Sequence, residues 1–120
     1  MTHFSDPTFA NEWIAAWNSH DLERILSHYS ERVIFTSPFA AKLAPESGGT
    51  LQGKAALRAY FSAALKAYPE LEFKLSHVTQ SVHSVVLIYR SVNGLLAAEM
   101  MEFDKDNSIV RVVAHYGDAH

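Results

Sequence analysis

The sequence contains no cysteine. That excludes disulfides, thiol nucleophiles and cysteine-based zinc sites together, and it fits a reducing compartment. Positive charge is also scarce. The 10 Lys and Arg residues stand against 13 Asp and Glu, and the basic residues form no run. Holding nucleic acid through its phosphates needs a basic face, so no nucleic-acid partner is expected. No apolar stretch is long enough to span a bilayer, so no membrane partner is expected either. The opening MTHFSDPTFANEW lacks the positive start and apolar run of a signal peptide, and the expected location is the cytoplasm. Internal repeats and low-complexity tracts are missing. Gly48-Gly49 lacks the lysine that would make it a phosphate loop, and no serine sits in a nucleophile elbow. His77, His83 and His115 do not show the His-x-x-x-His spacing of a helical zinc site. No metal and no cofactor are expected.

What remains is an apolar chain with clear periodicity. Of its 120 residues 48% are hydrophobic, enough for one core, so residues 1–120 read as a single domain. Asp6-Pro7 is a helix-start signal, and Phe9, Trp13, Ile14 and Trp17 follow at helical spacing. The sequence NSHD breaks that helix. Leu22, Ile25, Leu26 and Tyr29 then predict a second one, with Asp21 at its positive end. RVIFTS reads as a strand ended by Pro38. Residues 39–52 show no period and read as a long loop, either a lid or a mobile segment. Gly53 opens a third helix with Leu57, Tyr60, Phe61, Ala64, Leu65 and Tyr68 on one stripe, closed by Pro69. The period then changes to two. Leu71, Phe73 and Leu75 alternate with polar residues, HSVVLIYRSV is a nearly continuous β run, and Asn93-Gly94 is a hairpin turn. Two more strands flank DKDNS. The order α-α-β-α-β-β-β-β predicts an α+β fold, helices first and an antiparallel sheet last.

That order, carried by AAWNSHDLERILSHYSERVIFTSP, GKAALRAYFSAAL and AAEMMEFDKDNSIVRVVAHYGD, resembles the NTF2-like superfamily, and within it the SnoaL-like and ketosteroid-isomerase-like proteins. The resemblance implies a cystatin-like cone: a curved sheet wrapped around the helices, with an apolar pocket for a small molecule at its open end. It also implies homodimers. In the steroid isomerases of this group a first-helix tyrosine donates to the developing oxyanion, and Trp13 stands in its place. A second tyrosine matches Tyr29. The catalytic aspartate falls on Ser37, whose hydroxyl is too weakly acidic to shuttle protons at neutral pH. The protonated acid of the oxyanion site falls on Glu99.

Glu99 and His115 are the chemically telling pair. If Phe103 pairs with Ile109 across the turn, Val113 lies opposite Glu99 and His115 is its diagonal neighbour, within reach of long side chains. Ala97 and Met101 share that face. Burial would raise the glutamate pKa and mutual attraction would lower it, and either can place a proton donor or acceptor near neutrality. The plain alternative is a structural ion pair between Glu99 and Arg111, with His115 bonded to a carbonyl. Trp13, Tyr29 and Tyr60 combine apolar bodies with polar tips, which suits them to orient a ligand, although aromatic stripes are more often core. With Phe35, Ser37, Met101 and Val113 they complete the expected substrate-binding set. Glu99 and His115 are the expected catalytic residues. Two functions follow: a cofactor-independent isomerase, cyclase or hydratase/dehydratase acting on a polyketide-, steroid- or terpenoid-like compound, or a non-catalytic ligand-binding or dimerisation module. The apolar outer sheet face is the expected dimer surface.

Overall fold

The computed structural model describes residues 8–118, so the Asp6-Pro7 signal lies outside the described residues. Helix α1 (Thr8–Ser19) buries Ala10, Trp13, Ala16 and Trp17 on one stripe, as its spacing predicts. Helix α2 (Leu22–Leu26) begins at Asp21, whose carboxylate accepts a hydrogen bond from the Arg24 N–H at 3.2 Å. It stops after five residues. Tyr29 is therefore not on this helix. It opens strand β1 (Tyr29–Thr36), because the Ile109 N–H bonds the His28 carbonyl and Tyr29 pairs with Ile109. Strand pairing wins over another helical turn.

Residues 39–52 are ordered into short elements rather than an open loop. Ser37 accepts a hydrogen bond from the Phe39 N–H at 3.1 Å, Pro38 takes the first helical position, and helix α3 (Pro38–Leu43) follows. A single 3-10 turn at Pro45–Ser47 leads through Gly48 and Gly49, with φ of 67° and 98°, into strand β2 (Thr50–Gln52). Helix α4 (Lys54–Ala67) buries Leu57, Tyr60, Phe61 and Ala64 against β1. Strands β3 (Lys74–Gln80), β4 (Ser84–Arg90), β5 (Leu96–Phe103) and β6 (Ile109–Gly117) complete the chain. All of the elements in the expected order are present, with α3 and β2 added.

The six strands form one open sheet in the order β2-β1-β6-β5-β4-β3. Its pairs are antiparallel except β1 with β6, which run parallel. Irregularities in β1, β3 and at the start of β6 bend it, and the helices pack into the concave side. Asn93 and Gly94 take positive φ, 57° and 71°, as the turn between β4 and β5 requires. Leu71 and Phe73 precede β3 instead of lying in it. The Asn18 amide serves Phe73 as a strand neighbour would, accepting from its N–H at 2.7 Å and donating to its carbonyl at 2.9 Å. His20, in the left-handed conformation at φ 59°, hydrogen-bonds the Leu71 carbonyl at 2.9 Å. Among the described residues no helix is long and apolar enough to cross a membrane.

Candidate active site

The register of β5 and β6 decides which side chains meet. Phe103 pairs with Ile109, as the sequence suggests, but Glu102 pairs with Arg111. β6 thus spends one extra residue, Val110, at the bulge. Every later partner moves by one: Glu99 faces Ala114, Ala98 faces His115 and Ala97 faces Tyr116. Because side chains alternate, this slip exchanges the two faces of β6. His115 and Val113 point away from Glu99, and His115 is exposed. The expected Glu99–His115 pair does not form, and Val113 is not in the site. Arg111 also lies on the outer face, where it pairs with Glu102 at 3.7 Å. The structural Glu99–Arg111 pair is therefore absent as well.

Glu99 is 3% exposed and lies on the concave face with Ala97 and Met101. Ala97 is flanked by Tyr89 on β4 and Tyr116 on β6. Its methyl leaves room above it, and the two rings flanking it reach toward the carboxyl. The Tyr89 hydroxyl donates to Glu99 Oε1 at 2.6 Å. Burial raises the Glu99 pKa to about 7, against the opposing pull of that hydrogen bond. Burial and the Glu99 charge hold Tyr89 and Tyr116 well above the ordinary tyrosine value, so both stay protonated as donors. Tyr60 is raised for the same main reason, with Ser37 nearby pulling it slightly down.

An aromatic cavity opens in front of Glu99. Its walls include Trp13, Trp17, Phe35, Phe39, Tyr60, Phe73, Tyr89 and Tyr116, and Glu99 is the only charged side chain among its lining residues. Only about 40 Å³ of it is free. Trp13 stacks near Phe73 at 5.8 Å and meets Tyr89 edge-on at 5.3 Å. Its indole N–H is committed to the Tyr29 hydroxyl at 3.0 Å, so Trp13 shapes the cavity and donates elsewhere. The Trp17 indole N–H, by contrast, is buried without a hydrogen-bond partner in the described structure.

The expected binding residues therefore divide. Trp13, Phe35 and Tyr60 line the cavity. Tyr29 lies behind Trp13 and Met101 is in the core. Ser37, 1% exposed, caps α3 and sits beside the hydroxyls of Tyr60 and Tyr116, one layer behind the cavity wall. Tyr89, Tyr116, Phe39, Phe73 and Ser91 belong to the wall without having been expected there. Among the described residues no three His, Asp or Glu side chains converge as a metal site would require.

A family model for the SnoaL-like domain matches residues 10–116. Among solved structures, the chain is similar to a SnoaL-like protein of unknown function from Burkholderia thailandensis, with 41% identity, 92% of each chain covered and a TM-score of 0.87. It also shares its fold with SalBIII, an epoxide hydrolase/cyclase-like enzyme in pyran ring formation in the polyether salinomycin, at 17% identity, 92% and 88% coverage and a TM-score of 0.72. A protein of unknown function with a cystatin-like fold from Methylobium petroleophilum aligns at 15% identity, 98% and 82% coverage and a TM-score of 0.72. No curated protein matches the sequence.

Proposed function

The chain belongs to the SnoaL-like domain family, and on that premise we propose that it moves a proton beside the carbonyl of a small apolar molecule, without a cofactor. The observation that carries this reading is the isolation of Glu99: a carboxyl 3% exposed, in an aromatic wall, bonded to one tyrosine and, among the described residues, paired with no cation. A pKa of about 7 lets it exist in both protonation states near neutrality. As carboxylate it takes a proton from the carbon next to the carbonyl. The C–H electron pair passes into the carbonyl, whose oxygen becomes an enolate and accepts a hydrogen bond from the Tyr116 hydroxyl. Glu99 then returns the proton to the same or a conjugated carbon, which exchanges or isomerises the substrate. One carboxyl carries both steps, which accords with Ser37 standing where the steroid isomerases have their aspartate.

Solvent deuterium exchange into a simple ketone, 4-phenylbutan-2-one, followed by proton NMR tests this directly. The wild-type protein should accelerate exchange, and Glu99→Gln should lower the rate by about 100-fold or more. Below a pH of about 7 the rate should fall as the carboxyl takes up its proton. A ketone that binds but exchanges no faster than in buffer would support the second reading, a ligand-binding module. A serine at position 37, where the steroid isomerases have their aspartate, favours that alternative, because among the described residues lining the cavity Glu99 is the one carboxyl and no imidazole joins it.

We also infer a homodimer through the outer sheet face. Ile34 is exposed there, and Val86, Ile88, Ala98, Met100 and Val113 are only half-covered. An apolar patch of this kind is what an isologous interface uses. Light scattering should give twice the chain mass, and Ile88→Lys should halve it. A monomeric wild-type protein would refute the dimer.

A further inference from the structure

Against the aromatic cavity lies a second space that the acid–base chemistry leaves unused. This outer chamber, about 500 Å³, shares Tyr68, Leu71, Ser91 and Val92 with the inner one. The contrast in size is informative. Small-molecule sites typically enclose ~300–1,000 Å³, so the inner cavity, at about 40 Å³ free, admits only the reactive end of a ligand. The bulk of any larger ligand has to lie outside the neck.

The chamber's chemistry constrains what that bulk is. Glu70 and Glu72 line it, both exposed, and no Lys, Arg or His does. At the neck Ser91 is 6% exposed, and its side chain forms no capping bond to the turn that follows. Ser91 lines both chambers, and its backbone N–H bonds the Leu95 carbonyl. Among the described residues the Trp17 indole nitrogen is the one buried side-chain polar atom without a partner, so the Ser91 hydroxyl is open to the space it borders and free to hydrogen-bond a ligand there.

We propose that the two chambers form one elongated site, in which Ser91 hydrogen-bonds a polar group in the middle of the substrate and Glu70 and Glu72 select a neutral or amine-bearing tail. Substrates carrying a carboxylate or phosphate tail are rejected. The inference rests on Glu99 acting on a carbonyl in the inner cavity, since that sets the ligand's direction.

Calorimetric titration at pH 7.5 with 4-phenylbutan-2-one and its para-hydroxymethyl, para-aminomethyl and para-carboxylate derivatives separates the two ideas. The hydroxymethyl and aminomethyl ketones should bind about tenfold tighter than the carboxylate. Glu70→Gln with Glu72→Gln should close that gap to about twofold. Ser91→Ala should weaken the hydroxymethyl ketone several-fold more than the parent ketone. A carboxylate that binds as tightly as the amine, or a Ser91→Ala loss equal for both ketones, overturns the proposal while leaving the role of Glu99 standing. Preserved charge order with no response of ketone exchange to Glu99→Gln overturns the carbonyl chemistry alone. Failure of all four compounds to bind overturns both.

Discussion

Glu99 and Glu102 lie on the same strand and meet opposite environments. Glu99 faces the concave side, buried, with a tyrosine hydroxyl as its bonded partner. Glu102 faces out, its side chain 46% exposed, and pairs with Arg111. The residue type is the same and the strand is the same. What differs is the dielectric around each and the kind of partner available. A surface ion pair of this sort contributes ~0–1 kcal/mol, whereas burial, even opposed by the Tyr89 hydrogen bond, moves the Glu99 pKa to about 7. The chemistry of the molecule is thus set less by which acids it has than by which face the backbone gives them.

The register beyond the bulge at Val110 assigns those faces, and inserting one alanine between Val112 and Val113 is the severest way to break the contrast. It would turn Ala114 and Tyr116 to the outer side and bring Val113 and His115 inward, while Glu102 stays opposite Arg111. Exposing the Tyr116 ring and burying His115 should cost several kcal/mol, read by denaturant unfolding. Deleting Val110 removes only the extra residue and should keep the faces as they are. An insertion variant as stable as the wild type would mean that the faces beyond Val112 are not fixed by the register.

The next effect is on pH dependence. In the unfolded chain Glu99 ionises at the ordinary glutamate value of 4.5, and in the fold at about 7. Between those values the folded state holds a proton that the unfolded state has lost, so stability declines as pH rises and levels off above about 7. The span corresponds to at most about 3 kcal/mol. Glu99→Gln removes a titrating group, and the difference between wild type and variant, followed by thermal or urea melts from pH 4 to 8, should grow steadily in the variant's favour. A difference that does not change with pH would show that the carboxyl is not desolvated as described.

The smallest effect belongs to the other acid. Glu102→Gln should alter stability by less than about 0.5 kcal/mol and leave ketone exchange unchanged, because it removes only an exposed pair. A large loss would place Glu102 in something more than a surface contact.

The periodic elements were legible in the residues: the stripes of α1 and α4, the β run of β4 and the Asn-Gly turn all reflect local spacing. Much of what lies between them was not. Helix α3 has only six residues, too few for a period to show, although Ser37-Pro38 carries a cap and a proline at the first helical position. That signal was open to reading and outweighs the placing of Ser37 at a catalytic position. Tyr29 fits a helical spacing equally well, and only its pairing with a strand eighty residues away decides for β structure. The same holds for the site. Glu99 stands out because an acid among apolar neighbours is rare. The bulge leaves no mark in the residues around Val110, so His115 and Tyr116 exchange roles without warning. Tyr89 was within reach, since a tyrosine paired with Ala97 across the Asn-Gly turn is diagonal to Glu99.

The Asn18 amide has a mechanical consequence. By bonding both backbone groups of Phe73, with His20 tied to Leu71 two residues earlier, it fastens one jaw of the entrance rigidly to the end of α1. Whatever widening a bulky molecule demands on its way in then falls to the remaining walls, the Ser91–Leu95 turn and the Phe39 and Leu43 side of α3.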